Sequence, residues 1–287
     1  MTDDPFGTSR KRLLGLAYRM LGSRAEAEDV LQDAWLRFDA VRNVDNRDAL
    51  LTTIVTRLCL DRLKSARSRR EAYVGPWLPE PIVDAEALAP DAATELADDL
   101  SFALLLTLER LSPAERAAFL LHDVFDMPFA QVSAVLERNE ATCRQLAARA
   151  RGAVRRERSG KRPSEEAHIR LMTAFGVAVA SGDVDALSHL LHEDAVLISD
   201  GGGQVMTARN PIRGADRIAR FFAGVARKFS SRIPGLRGEL APINGTPSVV
   251  TWYAEQVVQV LALDSDGEKI TAVYVVSNPE KLRSISA

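Results

Sequence analysis

Between Asn139 and Arg158 the chain carries residue types suited to reading a DNA duplex. Glu140, Thr142, Arg144 and Gln145 can hydrogen-bond base edges, while Arg149, Arg151 and Arg155 supply cations that neutralise phosphate. A surface helix with spare charge would carry the same residues, so this string alone decides little. A second basic run, Arg57, Arg62, Lys64, Arg67, Arg69 and Arg70, is opposed only by Asp61. A purely acidic stretch lies between the two runs: Glu80, Asp84, Glu86, Asp91, Glu95, Asp98 and Asp99. The net charge of −2 conceals this segregation. Two basic helix ends joined by an acidic segment fit two phosphate-contacting modules and a connection that avoids nucleic acid.

Three further clusters stand out. Asp29, Gln32, Asp33 and Trp35 form an acidic-aromatic set, although some of these acids also suit the positive end of their own helix dipole. Trp77, Leu78, Pro79, Glu80 and Pro81 place an apolar pair among prolines, on a stiff extended segment of the kind that docks into something. Asp200, Gly201, Gly202 and Gly203 form a turn whose missing side chains permit close approach.

The elements that must position these residues follow from hydrophobic periodicity. Leu13, Leu14, Ala17, Met20 and Leu21 make one helical stripe; Ala27, Val30, Leu31, Ala34, Trp35 and Phe38 make a second, opened by Ser23 and Glu26. A third helix carries Leu50, Leu51, Ile54, Val55, Leu58 and Leu63 into the first basic run. After the proline-rich break, helix resumes near Leu100. Ser112, Pro113 and Glu115 give the start of another helix, and Phe129 to Leu136 is a short one. A turn at Glu137 and Arg138 and an Asn139 cap then lead into the basic helix, which makes a helix-turn-helix. Beyond Pro163 two helices, Ala167 to Ala180 and Val184 to Leu191, precede β-type runs at Ala195 to Ile198, Val249 to Leu263 and Ile270 to Val276. Asp264 to Gly267 supplies a hairpin turn. Helices followed by strands predict an α+β domain.

The segments Ala27 to Arg37 and Leu51 to Asp61 resemble region 2 of extracytoplasmic-function sigma factors, and Leu111 to Arg151 resembles their region 4. The two occur in the family's order and spacing over roughly the first 155 residues. The resemblance implies that Asp29, Gln32, Asp33 and Trp35 dock on core RNA polymerase. It further implies that Thr52, Thr53, Thr56, Arg57 and Arg62 read and hold a melted promoter strand. Glu140, Thr142, Arg144, Gln145 and Arg149 would meet promoter DNA at the upstream element. Two departures are visible. Arg47-Asp48-Ala49-Leu50 stands where the family often has Pro-Arg-x-Trp, and the usual Leu-Gly of the helix-turn-helix turn reads Leu136-Glu137.

From Gly182 to Val196, and through the strand pattern after it, the C-terminal part resembles the SnoaL-like α+β cone. One sigma group combines such an extension with a Trp-Leu-Pro-Glu-Pro linker and an Asp-Gly-Gly-Gly-Lys motif; here Gln204 replaces the lysine. The expected organisation is therefore multidomain. It comprises two all-α modules, region 2 at 1–72 and region 4 at 100–160, a linker at 73–99 and an α+β SnoaL-like cone at 163–287. The linker motif is expected to meet the cone near Asp200 to Gly203 and to set the spacing of regions 2 and 4.

Composition narrows the alternatives. The 287 residues are 46% hydrophobic and 26% charged, with no basic start followed by an apolar run and no stretch of about 18 apolar residues, so a cytoplasmic protein with no membrane partner is expected. Cys59 and Cys143 lack partners at metal spacing, and neither a metal nor a cofactor is expected. SnoaL-like cones also form isomerases and cyclases, for which His192, Asp200, Asn210 and Tyr253 are candidate acid-base residues. They form no recognisable dyad, and no catalytic assignment is made. A small-molecule ligand of the cone is a candidate partner, and a helix-turn-helix repressor with a sensing domain is the rival reading.

Overall fold

The computed structural model describes residues 6–7, 9–41, 44–71, 73–83, 88, 99–157, 163–229 and 235–285, the side chains of 66–71 and 229 excepted. Asp84, Glu86, Asp91, Glu95 and Asp98 of the acidic stretch lie outside the described residues. So do Arg158, Lys161 and Arg162, and the side chains of Arg67, Arg69 and Arg70. The chain divides into two compact units, 1–72 with 84–158 and 73–83 with 159–287.

The first unit opens with three helices, α1 (Ser9–Leu21), α2 (Arg24–Asp39) and α3 (Arg47–Glu71). α1 ends at Gly22, whose φ of 70° lets its N–H reach the Tyr18 carbonyl at 2.7 Å. Ser23 then caps α2, its Oγ accepting from the Glu26 N–H. The apolar stripes of the three helices converge: Leu13, Met20, Val30, Leu31, Leu51 and Val55 are all buried. Each such side chain contributes roughly 1.5–3 kcal/mol by leaving water, whereas an exposed pair such as Lys64 with Asp61 is worth about 0–1 kcal/mol. Burial holds this bundle.

α4 (Phe102–Arg110) and α5 (Pro113–Phe119) follow. Ser112 Oγ accepts from the Glu115 N–H while the Glu115 carboxylate accepts from the Ser112 N–H, the reciprocal cap that the sequence predicts. The helix continues through a wide turn at Leu120–Val124 before α6 (Phe129–Leu136) and α7 (Glu140–Glu157). Asn139 caps α7 by accepting the Thr142 N–H at 2.8 Å. Cys59 and Cys143 are both buried, which raises their thiol pKa and keeps them as core residues.

In the second unit, α8 (Glu165–Ser181) and α9 (Val184–Leu190) precede β1 (Leu191–Asp200), β2 (Ile212–Arg213) and α10 (Ala215–Phe229). Strands β3 (Arg237–Ile243), β4 (Thr246–Tyr253), β5 (Gln256–Ser265) and β6 (Ile270–Val276) complete one sheet, ordered β2-β1-β6-β5-β4-β3. Among the described residues only the β1 and β6 pairing is parallel. A short α11 (Pro279–Leu282) follows. Leu171, Phe175, Leu187, Ile218 and Phe222 of the helices pack on Leu197, Leu263 and Val273 of the sheet. Because side chains alternate along a strand, Leu197 faces these helices and Asp200 points to the other face.

The α+β expectation is met, with two departures. The β-type run Val249 to Leu263 is two strands, divided by a turn at Ala254 and Glu255 with φ of 47° and 62°. Two-residue hairpins of this hand favour Asn-Gly, and Ala-Glu gives no such signal. α10, β2 and β3 were not foreseen. Asn244-Gly245, with φ of 54° and 74°, is the turn signal that marks the β3–β4 hairpin.

Candidate functional site

On α7, Cys143, Ala147, Ala150 and Val154 are buried at intervals of three and four, which turns the opposite face outward. Arg144, Gln145 and Arg149 are exposed there, with Glu140 and Thr142 half-buried beside them. Arg144 is held 2.6 Å from Glu140 and lies 5.2 Å from the centre of the Phe129 ring. Arg151, expected to reach phosphate, instead makes a two-pronged pair with Asp123 at 2.7 and 3.2 Å. A half-buried guanidinium already matched by a carboxylate is a structural tie.

The turn before α7 is held by Glu137, a non-glycine residue in the left-handed region (φ 53°, ψ 45°). The backbone of the turn is thus the one glycine usually provides, adopted by a glutamate.

On α2, Asp29, Gln32 and Asp33 are exposed on one face, and Trp35 is half-buried between Phe6 and Phe38. Arg47 stacks over the Trp35 and Phe38 rings at 5.5 and 4.6 Å. Arg62 donates to the Glu26 carbonyl and to Asp33 at 3.0 Å, with Asp29 3.5 Å away. The arginine expected on a DNA strand therefore sits among the acids of α2.

α3 corrects two expectations. Thr52 and Thr56 are fully buried, their hydroxyls donating to the carbonyls of Asp48 and Thr52 one turn back. Neither can face a strand in this conformation. Thr53 bonds the Ala49 carbonyl in the same way but keeps some exposure. Arg57 donates to the carbonyls of Ala134 and Val135 and lies 2.9 Å from Glu137.

In the second unit the linker and Asp200 form a dense polar node. Asp200 is fully buried. Its Oδ1 accepts from the Tyr73 hydroxyl at 2.6 Å and the Gly202 N–H at 3.0 Å. Its Oδ2 accepts from the Leu78 N–H at 2.9 Å and from Lys281 Nζ at 2.6 Å. Lys281 also donates to the Leu78 carbonyl and lies 4.3 Å from the centre of the Trp77 ring. Asn278 donates to the Tyr73 oxygen at 2.9 Å. Burial and the neighbouring Asp200 carboxylate raise the Tyr73 hydroxyl pKa. Further along, the Ile82 N–H donates to Asn244 Oδ1 at 2.9 Å, the Ile82 carbonyl accepts from the Asn244 N–H at 2.8 Å, and Glu80 accepts from Ser284. Leu78, Pro79, Glu80 and Pro81 are all buried.

The glycines have separate reasons. A Cβ on Gly202 (φ 62°) would lie 2.5 Å from the Asn278 carboxamide, and one on Gly203 (φ 73°) would press on Val74 at 3.1 Å. Gly201 is approached by its own loop, the Val205 carbonyl. Gln204 donates to Glu280 at the surface, which is what a lysine there would meet.

Two family models match the chain: Sigma-70 region 2 over residues 6–69 and Sigma-70, region 4 over 101–154. The ECF RNA polymerase sigma factor SigJ of Mycobacterium tuberculosis is 41% identical, with 96% of this chain and 91% of that protein covered. The chain belongs to the extracytoplasmic-function sigma factors. A probable ECF RNA polymerase sigma factor of the same organism, SigI, is 33% identical over 97% of the chain and 93% of its own length. The crystal structure of M. tuberculosis SigJ superposes with a TM-score of 0.74 at 35% identity, covering 97% of both chains.

As a sigma factor the protein binds core RNA polymerase and directs it to promoters, and the repressor reading is not favoured. α1–α3 are its region 2 and α4–α7 its region 4. The four acid-base candidates in the tail are not brought together. His192 lies near the start of β1 and Asp200 ends it, with the paired stretch Val196 to Ser199 between them. Asn210 is exposed, and Tyr253 is exposed at the β4–β5 turn. Among the described residues no cluster has the make-up of a metal site, and no helix is long and apolar enough to cross a membrane.

Sequence reasoning missed Tyr73, Asn244, Asn278 and Lys281. Tyr73 adjoins the linker motif and was open to notice. The other three carry no spacing signal, because their partners lie 81 to 205 residues away.

Proposed function

We propose that the C-terminal domain is a built-in regulator of this cytoplasmic sigma factor and acts through the linker. The Asp200 node carries this reading. A buried carboxylate that takes a backbone N–H from Leu78, a hydroxyl from Tyr73 and an ammonium from Lys281 ties linker and domain into one body. Residues 73–83 connect regions 2 and 4, so a linker held in this way restricts how far the two modules can separate on polymerase.

Within the sigma half, Asp29, Gln32, Asp33 and Trp35 dock on core enzyme, with Arg62 belonging to that acidic face. Thr53 and Arg57 serve the melted strand. Glu140, Thr142, Arg144, Gln145 and Arg149 meet the upstream promoter element, and the first four lie in the opening turns of α7, the part that enters a groove. A small-molecule ligand is the weaker input for the C-terminal domain, because apolar side chains fill the space between its helices and sheet.

The test replaces Trp77 and Leu78 with alanine in the full chain, then measures linker protection from proteolysis and run-off transcription with core enzyme. The expected result is a linker cut faster and a promoter output changed several-fold. Unchanged values in both would remove the regulatory reading.

A further inference from the structure

The C-terminal domain segregates its charge in a way that the linker contact does not use. Between Arg209 and Arg237 the chain has eight basic residues and one acid, Asp216. The rest of 163–287 has four basic residues and thirteen acids. The basic stretch is centred on α10, where Arg217, Arg220, Arg227 and Lys228 recur at intervals of three, seven and one and are all exposed. At 1.5 Å per residue they span roughly 16 Å along one face of the helix. The opposite face is committed to the core. Ile218, Ala219, Phe222 and Ala223 are buried there, and Phe222 meets Phe175 edge-on with ring centres 5.0 Å apart.

Helix stability accounts for only half of this row. Arg227 and Lys228 lie in the last turn, where the terminal carbonyls attract cations. Arg217 lies in the first turn, at the positive end of the helix dipole, where a cation is unfavourable. Among the described residues it has no ion pair. Arg220 is paired with Asp216 at 2.9 Å, but both side chains are well exposed, so salt weakens the pair and another anion can replace it. Gly224 stands in the middle of the row, and a Cβ there would meet nothing within 4 Å. The centre of the row is open to a partner.

A basic amphipathic helix often suggests a membrane surface. Here the apolar side is inside the domain core and is not available to enter a bilayer. Phe221 packs on that core as well, which leaves cations and not rings for stacking an unpaired base. Cations without rings suit the phosphates of a duplex, and they act irrespective of base sequence. We propose that the exposed face of α10 is a further DNA contact of this sigma factor, holding duplex phosphates through Arg217, Arg220, Arg227 and Lys228 without reading bases. The acids elsewhere in the domain repel the same polyanion, so this face sets the domain's approach to it. The contact adds to that of the helix-turn-helix and does not rest on the linker reading above.

The test uses the full chain and measures its affinity for a promoter-free duplex of about 30 base pairs across salt concentrations. Arg217→Gln/Arg220→Gln should lower the slope of log K against log salt by roughly 1–2, since each phosphate contact contributes about 0.9. The control Arg170→Gln/Arg283→Gln removes the same charge from exposed positions elsewhere in the domain and should leave the slope unchanged. In a second measurement, a photoreactive label on Gly224→Cys should cross-link to the duplex, the native cysteines being buried. Equal slopes in the two double variants overturn the proposal. A lower slope without cross-linking also overturns it, because the charges then act at a distance and not by contact. Vesicles of one part phosphatidylglycerol to three parts phosphatidylcholine should bind the parent and Arg217→Gln/Arg220→Gln alike. Vesicle binding lost in that variant, with the DNA slope unchanged, would put a membrane on this face in place of DNA.

Discussion

Lys281 sets its ammonium 2.6 Å from the fully buried Asp200 carboxylate and 4.3 Å from the centre of the Trp77 ring. One cation thus neutralises the carboxylate and covers the linker aromatic. Removing one partner of a buried pair strands the other, a loss of roughly 3–5 kcal/mol. Lys281→Met should lie near the lower end, because the Tyr73 hydroxyl and Leu78 amide still donate to Asp200. Urea unfolding of the full chain should show this loss. Adding Asp200→Asn should recover part of it, since no charge is then left buried. A Lys281→Met variant as stable as the parent would show that the pair does not hold the linker.

Gly202 and Asn278 make the second test. Asn278 caps α11 through the Glu280 N–H and donates to Tyr73, so the carboxamide is fixed from two sides. An alanine Cβ at 202 would sit 2.5 Å from it and hold a left-handed backbone besides. Gly202→Ala should therefore cost more than the roughly 1–2 kcal/mol of the backbone term alone. Limited proteolysis should show the linker cut sooner as the Tyr73 contact is disturbed. Gly176→Ala, where a Cβ meets nothing within 4 Å, is the control and should be neutral or stabilising.

Gln204→Lys should matter little. The residue is exposed and faces Glu280, so the lysine of the related motif would add a surface ion pair worth about 0–1 kcal/mol. The cation that the linker needs comes from Lys281 instead. Stability and run-off transcription should both stay within two-fold of the parent. A larger change in transcription would mean that position 204 meets something outside this chain.

How much could be read beforehand depended on the distance between partners in sequence. The caps at Ser23, Ser112 and Asn139 were legible because a cap and its N–H lie three residues apart. Helix stripes were legible for the same reason, and so were the ordered motifs of regions 2 and 4. Thr52 and Thr56 misled, because the family pattern names residue types and not the side of α3 that region 2 buries. Asp200 was singled out through its glycines, while Lys281 was invisible. A lone lysine on a four-residue helix acquires meaning only when the chain brings it back over 81 residues. The hairpin at Ala254 and Glu255 failed for another reason: the neighbouring strands impose a turn that the local residues do not favour.

Tyr73 gives the linker contact a dependence on alkaline pH. Burial, then the Asp200 carboxylate, raises its pKa from the ordinary value of 10.0, so the folded state binds the neutral hydroxyl. A raised folded pKa contributes stability in full below the unfolded value and loses it as pH rises towards the folded one. The advantage of the parent over Tyr73→Phe should therefore be constant from pH 7 to about 9 and shrink above 10. Asp200, Glu280 and Lys281 face the same hydroxyl but are present in both proteins, as are the other tyrosines, so their titrations largely cancel in the difference. Unfolding midpoints of the two proteins across pH 8–11 measure it. A gap that stays constant through pH 11 would mean that the hydroxyl proton is not what Asp200 holds.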